Sequence, residues 1–161
     1  MLGFVTGASS GIGEAFACRL AADGWDLAIT ARRGNRLHAL AGRLADRHGV
    51  KVRTCTADLT DPSELAALER LVTTAEPDLL VNNAGFAGYR EFCKAEPKVI
   101  ADLVTVHAMA VTHLARAVIP AMIARGSGAI INIASLMAFS GPLPTTRCPT
   151  ARYTPPPKHS R

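Results

Sequence analysis

Thr6-Gly7-Ala8-Ser9-Ser10-Gly11-Ile12-Gly13 decides how this chain is read. It follows the short apolar run Phe4-Val5 and opens a helical stretch that lasts to about Gly24. Glycines between a strand and a helix allow a tight turn and let a pyrophosphate approach the backbone. The helix N-terminus behind them offers free N–H groups and the positive end of the helix dipole. The spacing is G-x-x-x-G-x-G, not the usual dinucleotide fingerprint, and an ordinary glycine-rich turn is the competing reading.

The context outward from this loop favours the nucleotide. Trp25 to Thr30 reads as a buried strand. Leu37, Leu40, Ala41 and Leu44 recur at helical spacing, and Gly49 ends that helix. Val50 to Thr56 alternates as a strand. Asp61-Pro62-Ser63-Glu64 is a helix start, with a capping residue, proline at the first position and an acid at the third. Asp78 to Val81 and Ala129 to Ala134 read as apolar strands. Residues from about Pro97 to Arg125 form a long helical stretch despite Pro120. This β-α alternation predicts an α/β fold: a Rossmann-type doubly wound parallel sheet, incomplete at about five strands, with helices on both faces.

In dinucleotide sites an acid about 20 residues beyond the loop usually holds the ribose 2′-hydroxyl. Here the second strand ends Thr30-Ala31-Arg32-Arg33, with no Asp or Glu. Two guanidinium groups suit a 2′-phosphate, so NADP is expected over NAD. The competing reading makes Arg32 and Arg33 solvated residues at the start of the next helix.

Four separated motifs then identify a resemblance. They are residues Thr6 to Gly13, then Asp58-Leu59, then Asn82-Asn83-Ala84-Gly85, then Ile131-Asn132-Ile133-Ala134-Ser135. In this order and spacing, over residues 1–140, the chain resembles the short-chain dehydrogenase/reductase family. The resemblance implies an NAD(P)-dependent oxidoreductase that moves hydride between nicotinamide and a small carbonyl or alcohol substrate. It implies that Gly7, Ala8, Ser9, Ser10, Gly11, Ile12 and Gly13 cradle the pyrophosphate and that Asp58 and Leu59 flank the adenine. It further implies that Asn83, Ala84 and Gly85 line the cofactor site, that Asn82 holds the central strand, and that Ser135 is the catalytic serine. His107 stands where the family usually has an active-site asparagine, thirteen positions before Pro120. It is a candidate for a proton relay or a plain helix histidine.

One family element has no counterpart. The catalytic Tyr-x-x-x-Lys is missing: Tyr153 and Lys158 are five apart with Pro155-Pro156-Pro157 between them, which forbids a shared helix face. Residues 141–161 therefore read as an irregular Pro/Arg-rich tail beyond a nucleotide-binding domain at 1–140. Codon degeneracy permits Tyr-Ala-Ala-Thr-Lys-Ala-Phe in a shifted frame over this tail, so a frameshifted, truncated family member is expected. Its activity would be impaired, and its fifth strand would be an exposed edge. A non-catalytic nucleotide-binding remnant is the alternative function. An interaction fragment using the edge and the basic tail is a third.

Composition narrows the remaining classes. The 161 residues are 48% hydrophobic and 19% charged, enough to bury one core. The net charge is +5, but Arg147, Arg152, Lys158 and Arg161 all lie in the last fifteen residues, which hold no acid; the remainder is nearly neutral. Such a short cluster is not a nucleic-acid-binding face. No apolar run is expected to reach the length of a bilayer crossing, charges interrupting each one, and no membrane partner is expected. The N-terminus lacks the basic and cleavage regions of a secretory signal. Cys18, Cys55, Cys93 and Cys148 show no C-x-x-C spacing, so neither a metal site nor a disulfide framework is expected. A reducing cytoplasm follows, with homo-oligomerisation possible.

Overall fold

The structure, a computed structural model, describes residues 1–87 and 92–135. The Pro/Arg-rich tail, the proposed domain boundary at residue 140, and both Tyr153 and Lys158 lie outside the described residues. The elements run β1 (Leu2–Thr6), α1 (Gly11–Ala22), β2 (Asp26–Ala31), α2 (Gly34–His48), β3 (Val52–Thr56), α3 (Pro62–Ala75), β4 (Leu79–Asn82), α4 (Pro97–Val104), α5 (Ala110–Arg125) and β5 (Ala129–Asn132). A turn of π-helix, Thr105–Met109, joins α4 to α5.

All four strand pairings are parallel, in the order β3-β2-β1-β4-β5. Side chains alternate across a strand, so each buried strand feeds two cores. Val5, Leu27, Ile29, Leu79 and Val81 face one side and pack with Leu37, Leu40 and Leu44 of α2 and Ala17 and Leu20 of α1. Phe4, Ala28 and Leu80 face the other and pack with Leu65, Leu68 and Val72 of α3 and Leu114 and Val118 of α5. This is the expected doubly wound sheet.

The helix ends follow their local chemistry. Gly49 closes α2 at φ +68°, a left-handed conformation that glycine adopts without a Cβ penalty. Asp61 caps α3 by accepting from the backbone N–H groups of Ser63 and Glu64. Those bonds, the Ser63 hydroxyl first among them, hold the Asp61 carboxyl below its ordinary 3.8. Glu64 does not complete a capping box. Its carboxylate accepts from the Asp58 backbone N–H at 2.6 Å, while the Asp61 N–H donates to the Asp58 carbonyl.

Two sequence expectations meet the structure along 97–125. The stretch is helical throughout, and the π turn within it was not anticipated. The expectation that no run approaches a bilayer-crossing length is corrected: Pro97–Arg125 is a 29-residue helical run with a window of mean hydropathy 1.4. The reason is that Leu103 to Ala115 contains no Asp, Glu, Lys or Arg. Length and composition alone do not make a span. Core helices pass the same test, and this one lays Ala110, Leu114, Val118 and Met122 onto the sheet.

The fifth strand forms an edge among the described residues, pairing only with β4, and Ala129, Ile131 and Asn132 are exposed. Asn82 ties it down by donating from Nδ2 to Asn132 Oδ1 at 2.9 Å.

Candidate functional site

The strand order reverses at β1, whose neighbours are β2 and β4. The connections leave in opposite directions there, which opens a crevice at the C-terminal ends of the strands. A cleft of about 490 Å³ lies at this point. That volume is within the ordinary range for a small-molecule site.

The glycine loop forms one wall. Gly7 and Gly11 have φ of +67° and +60°. A Cβ on Gly7 would come within 2.8 Å of the Ala84 Cα, and one on Gly13 within 2.4 Å of Asn83 Nδ2 and 2.5 Å of the Gly7 carbonyl oxygen. Glycine at 7 and 13 therefore lets the loop, α1 and the segment after β4 close on one another. Asn83 fastens that contact. Its Nδ2 donates to the Thr6 carbonyl at 3.0 Å, and the backbone N–H groups of Asn83 and Ala84 donate to Thr6 Oγ1 at 2.9 Å. Ala8 is fully buried and donates its N–H to the Thr30 carbonyl, which binds the loop to β2.

Arginines form the second wall. Arg33 is the residue preceding α2, and its guanidinium reaches back to the glycine loop. Nη2 lies 3.0 Å from Ser9 Oγ and 2.6 Å from Ser10 Oγ, and Nε lies 3.2 Å from Ser9 Oγ. Arg33 thus stands at the helix start, exposed, and lines the cleft. Arg32 lies 5.9 Å from the Phe86 ring centroid and 3.9 Å from Asp58 Oδ2. The latter pair is solvent-exposed and screened, so it contributes little to stability. Asp58 Oδ1 instead accepts from the N–H and hydroxyl of Thr60. These contacts set the Asp58-Leu59 turn on the rim of the cleft.

Of the residues expected at the nucleotide, Gly7, Ser9, Ser10, Ile12, Arg32, Arg33, Asp58, Leu59, Asn83, Ala84 and Gly85 line this cleft. Ala8, Gly11 and Gly13 shape the loop without lining it. Thr30, Phe86 and Val106 also line it and were not anticipated. Their signals were present but weak: Thr30 is two residues before Arg32, Phe86 follows Gly85, and Val106 precedes His107.

His107 sits in the π turn, beside the segment after β4. Its Nε2 lies 2.9 Å from the Phe86 carbonyl oxygen and 3.3 Å from the Phe86 N. These are alternatives set by the tautomer: Nε2 donates to the carbonyl when protonated and accepts from the Phe86 N–H when not. A Cβ on Gly85 would come within 2.5 Å of the imidazole, so Gly85 is what admits the ring. The π turn Thr105–Met109 carries His107; such bulges recur at functional sites. Ser135 lies three residues past β5, at the same end of the sheet as Asn83 and Gly85.

The donor set suits a phosphorylated dinucleotide. Two arginines stand where an NAD site has an acid, and Gly7, Ser9, Ser10 and Ile12 of the loop line the cleft at the N-terminus of α1, a place suited to an anion. Among the described residues, the buried Thr30 Oγ1 has no hydrogen-bond partner.

Known proteins share this arrangement. The family model "short chain dehydrogenase" matches residues 3–146. The chain is 34% identical over 140 residues to a very-long-chain 3-oxoacyl-CoA reductase of Anas platyrhynchos, a match covering 81% of this chain and 44% of that one. A short-chain dehydrogenase from Sphingobium yanoikuyae, solved in complex with NADPH, is 44% identical. It superposes with a TM-score of 0.84 over 86% of this chain and 55% of its own. The bulky-bulky ketone specific alcohol dehydrogenase from Comamonas testosteroni is 36% identical, with a TM-score of 0.87 over 90% of this chain and 59% of its own. The chain thus spans about half the length of the relatives it matches. With the fold, the glycine loop and the Asn82–Gly85 segment all in place, this chain belongs to the short-chain dehydrogenase family.

Proposed function

We propose that this chain binds NADP in the cleft between the glycine loop, the end of β2 and the segment after β4. On this reading it is the nucleotide-binding part of an oxidoreductase acting on a small carbonyl or alcohol substrate. The observation that carries the proposal is Arg33 held against Ser9 and Ser10, with Arg32 beside it. Two guanidiniums and two hydroxyls then converge at the end of β2, where a 2′-phosphate has its negative charge. The solved relative from Sphingobium yanoikuyae in complex with NADPH supports the same cofactor.

On this reading the binding work divides among the residues of the cleft. The glycine loop and the N-terminus of α1 hold the pyrophosphate, Arg32 and Arg33 the 2′-phosphate, and Asp58 and Leu59 the adenine. When bound, the nicotinamide supplies or accepts a hydride. Ser135 would donate a hydrogen bond to the substrate oxygen, and His107 would hold the segment 84–86 at the cleft wall through the Phe86 backbone.

A second reading rests on a specific feature of the sequence. Residues 1–161 contain no Tyr-x-x-x-Lys, the pair that would move the proton at the substrate oxygen. Positioned acid/base groups contribute about 10²–10⁴-fold to rate. The chain as it stands therefore binds NADP with little or no turnover. Calorimetric titration with NADPH beside a carbonyl-reduction assay tests both readings. Binding without turnover supports the second, turnover supports an active enzyme, and absence of binding overturns the cofactor assignment.

A further inference from the structure

The two arginines at the end of β2 are held in different ways. Arg33 is fixed by hydrogen bonds to the Ser9 and Ser10 hydroxyls. The Arg32 side chain is 60% exposed, and its carboxylate partner, Asp58 Oδ2, stands 3.9 Å away at the limit of ion-pair range. Its other contact is aromatic: the guanidinium carbon lies over the Phe86 ring, 5.9 Å from the centroid. A long, exposed arginine samples many rotamers, and fixing it on an anion costs that freedom unless something already holds it. A ring face beneath the cation is such a hold.

Phe86 is the better anchored member of this pair. It is half-buried and packs against the core that α3 and α5 share with the sheet. Its backbone is tied to the π turn. His107 Nε2 lies 2.9 Å from the Phe86 carbonyl oxygen and 3.3 Å from the Phe86 N, so either tautomer finds a partner there. The imidazole stands beside the Phe86 ring, 6.2 Å between centroids, in the room that Gly85 leaves. Arg32 and Phe86 both line the cleft, one from the end of β2 and the other from the segment after β4. Their contact joins the two walls.

We infer that Phe86 is a positioning residue for cofactor choice: its ring, anchored by His107 and the core, holds the Arg32 guanidinium where a 2′-phosphate arrives. This rests on the proposed function above and adds to it a residue that acts on the phosphate only through Arg32. Phe86 therefore bears on the difference between NADP and NAD and not on the groups the two share.

The 161-residue chain tests this as Phe86→Leu, Phe86→Tyr, Arg32→Ala and the Arg32→Ala/Phe86→Leu double variant. Each is titrated calorimetrically with NADPH and with NADH, and its melting is recorded in parallel. Leucine keeps an apolar side chain and removes the ring face; tyrosine keeps the face. Phe86→Met, equally apolar and ringless, takes the place of leucine where that chain does not melt cooperatively. Phe86→Leu should weaken NADPH by about 2–5-fold, the worth of a solvent-exposed cation–π contact, and leave NADH unchanged. Phe86→Tyr should bind both as wild type does. In the Arg32→Ala background, Phe86→Leu should change neither affinity further. An equal loss for both cofactors overturns the proposal, because Phe86 would then shape the cleft and not the arginine. So does an unchanged NADPH affinity in Phe86→Leu, a tyrosine variant that behaves like leucine, or a leucine effect that persists without Arg32. Failure of wild type to bind NADPH overturns the nucleotide site itself, and equal wild-type affinity for the two cofactors overturns the role of the arginines. Both differ from a selective wild type whose selectivity survives Phe86→Leu, which overturns the role of Phe86 alone.

Discussion

The two flanks of β1 are finished to different degrees. Toward β2, five of the six strand residues are buried and α1 and α2 cover that face; the loop at its end is fastened by Arg33 to Ser9 and Ser10. Beyond β4, the edge strand β5 exposes Ala129, Ile131 and Asn132. On the same flank α4 buries none of its residues, and Val104, Met109, Ile119 and Ile123 stand 42–74% exposed. The first flank is closed by its own contacts. The second carries apolar surface and an open edge, the kind of surface that invites association. The cleft draws on both flanks: its arginine wall belongs to the closed one, and Asn83 to Phe86 line it from the end of β4.

Substitutions on the two flanks sharpen this contrast. Phe4→Ala, at a fully buried position of β1, should cost about 3–5 kcal/mol in denaturant unfolding. A cost under 1 kcal/mol would mean the core beneath β1 is not formed as described. Gly13→Ala places a Cβ within 2.4 Å of Asn83 Nδ2 and should cost about 1–3 kcal/mol while weakening nucleotide binding. Retained affinity would show that the loop can open without consequence. Arg33→Ala should reduce NADPH affinity by about tenfold or more and leave NADH nearly unchanged, since a charge-assisted contact to the 2′-phosphate is lost. Ile123→Ser, on the exposed flank, should stay within about 0.5 kcal/mol of wild type and lower the tendency to associate, as read by light scattering.

The pH dependence is smaller and lies at the start of α3. Asp61 is held below its ordinary pKa in the folded chain, so its contribution to stability is present above about pH 4 and is lost as pH falls through the folded value. Asp61→Asn keeps a capping oxygen without that titration. The melting temperature of wild type should therefore fall toward that of the asparagine variant as the buffer is taken from pH 6 to pH 3. Parallel curves would contradict the cap.

Most of the architecture was legible because it follows from local pattern. The alternation of strands and helices, the glycine loop, the cap at Asp61 and the stop at Gly49 each depend on neighbouring residues. Strand ends were read less well. Expected at Trp25–Thr30 and Asp78–Val81, β2 and β4 run Asp26–Ala31 and Leu79–Asn82. Their limits are set by pairing, with Ala31 opposite Thr56 and Asn82 opposite Asn132, and pairing is a property of other strands. The site shows the same division. Gly7 to Gly13, Asp58 and Asn83 to Gly85 were legible as motifs. The bond from Arg33 to Ser9 and Ser10, the approach of His107 to Phe86, and the lining roles of Thr30 and Val106 join segments far apart in sequence. The π turn that carries His107 has no local signature in Thr105–Met109. Apolar character along 103–115 is masked in the sequence by the charges that flank it, Asp102 and Arg116.

Titration of the 161-residue chain with NADPH and with NADH in one buffer tests the central claim most directly. The arginines at the end of β2 predict saturable binding of NADPH at least about tenfold tighter than NADH, an advantage that shrinks as salt screens the 2′-phosphate contact. Equal affinity for the two, or tighter NADH, would contradict the assignment of Arg32 and Arg33. Absence of binding to either would contradict the nucleotide site as a whole.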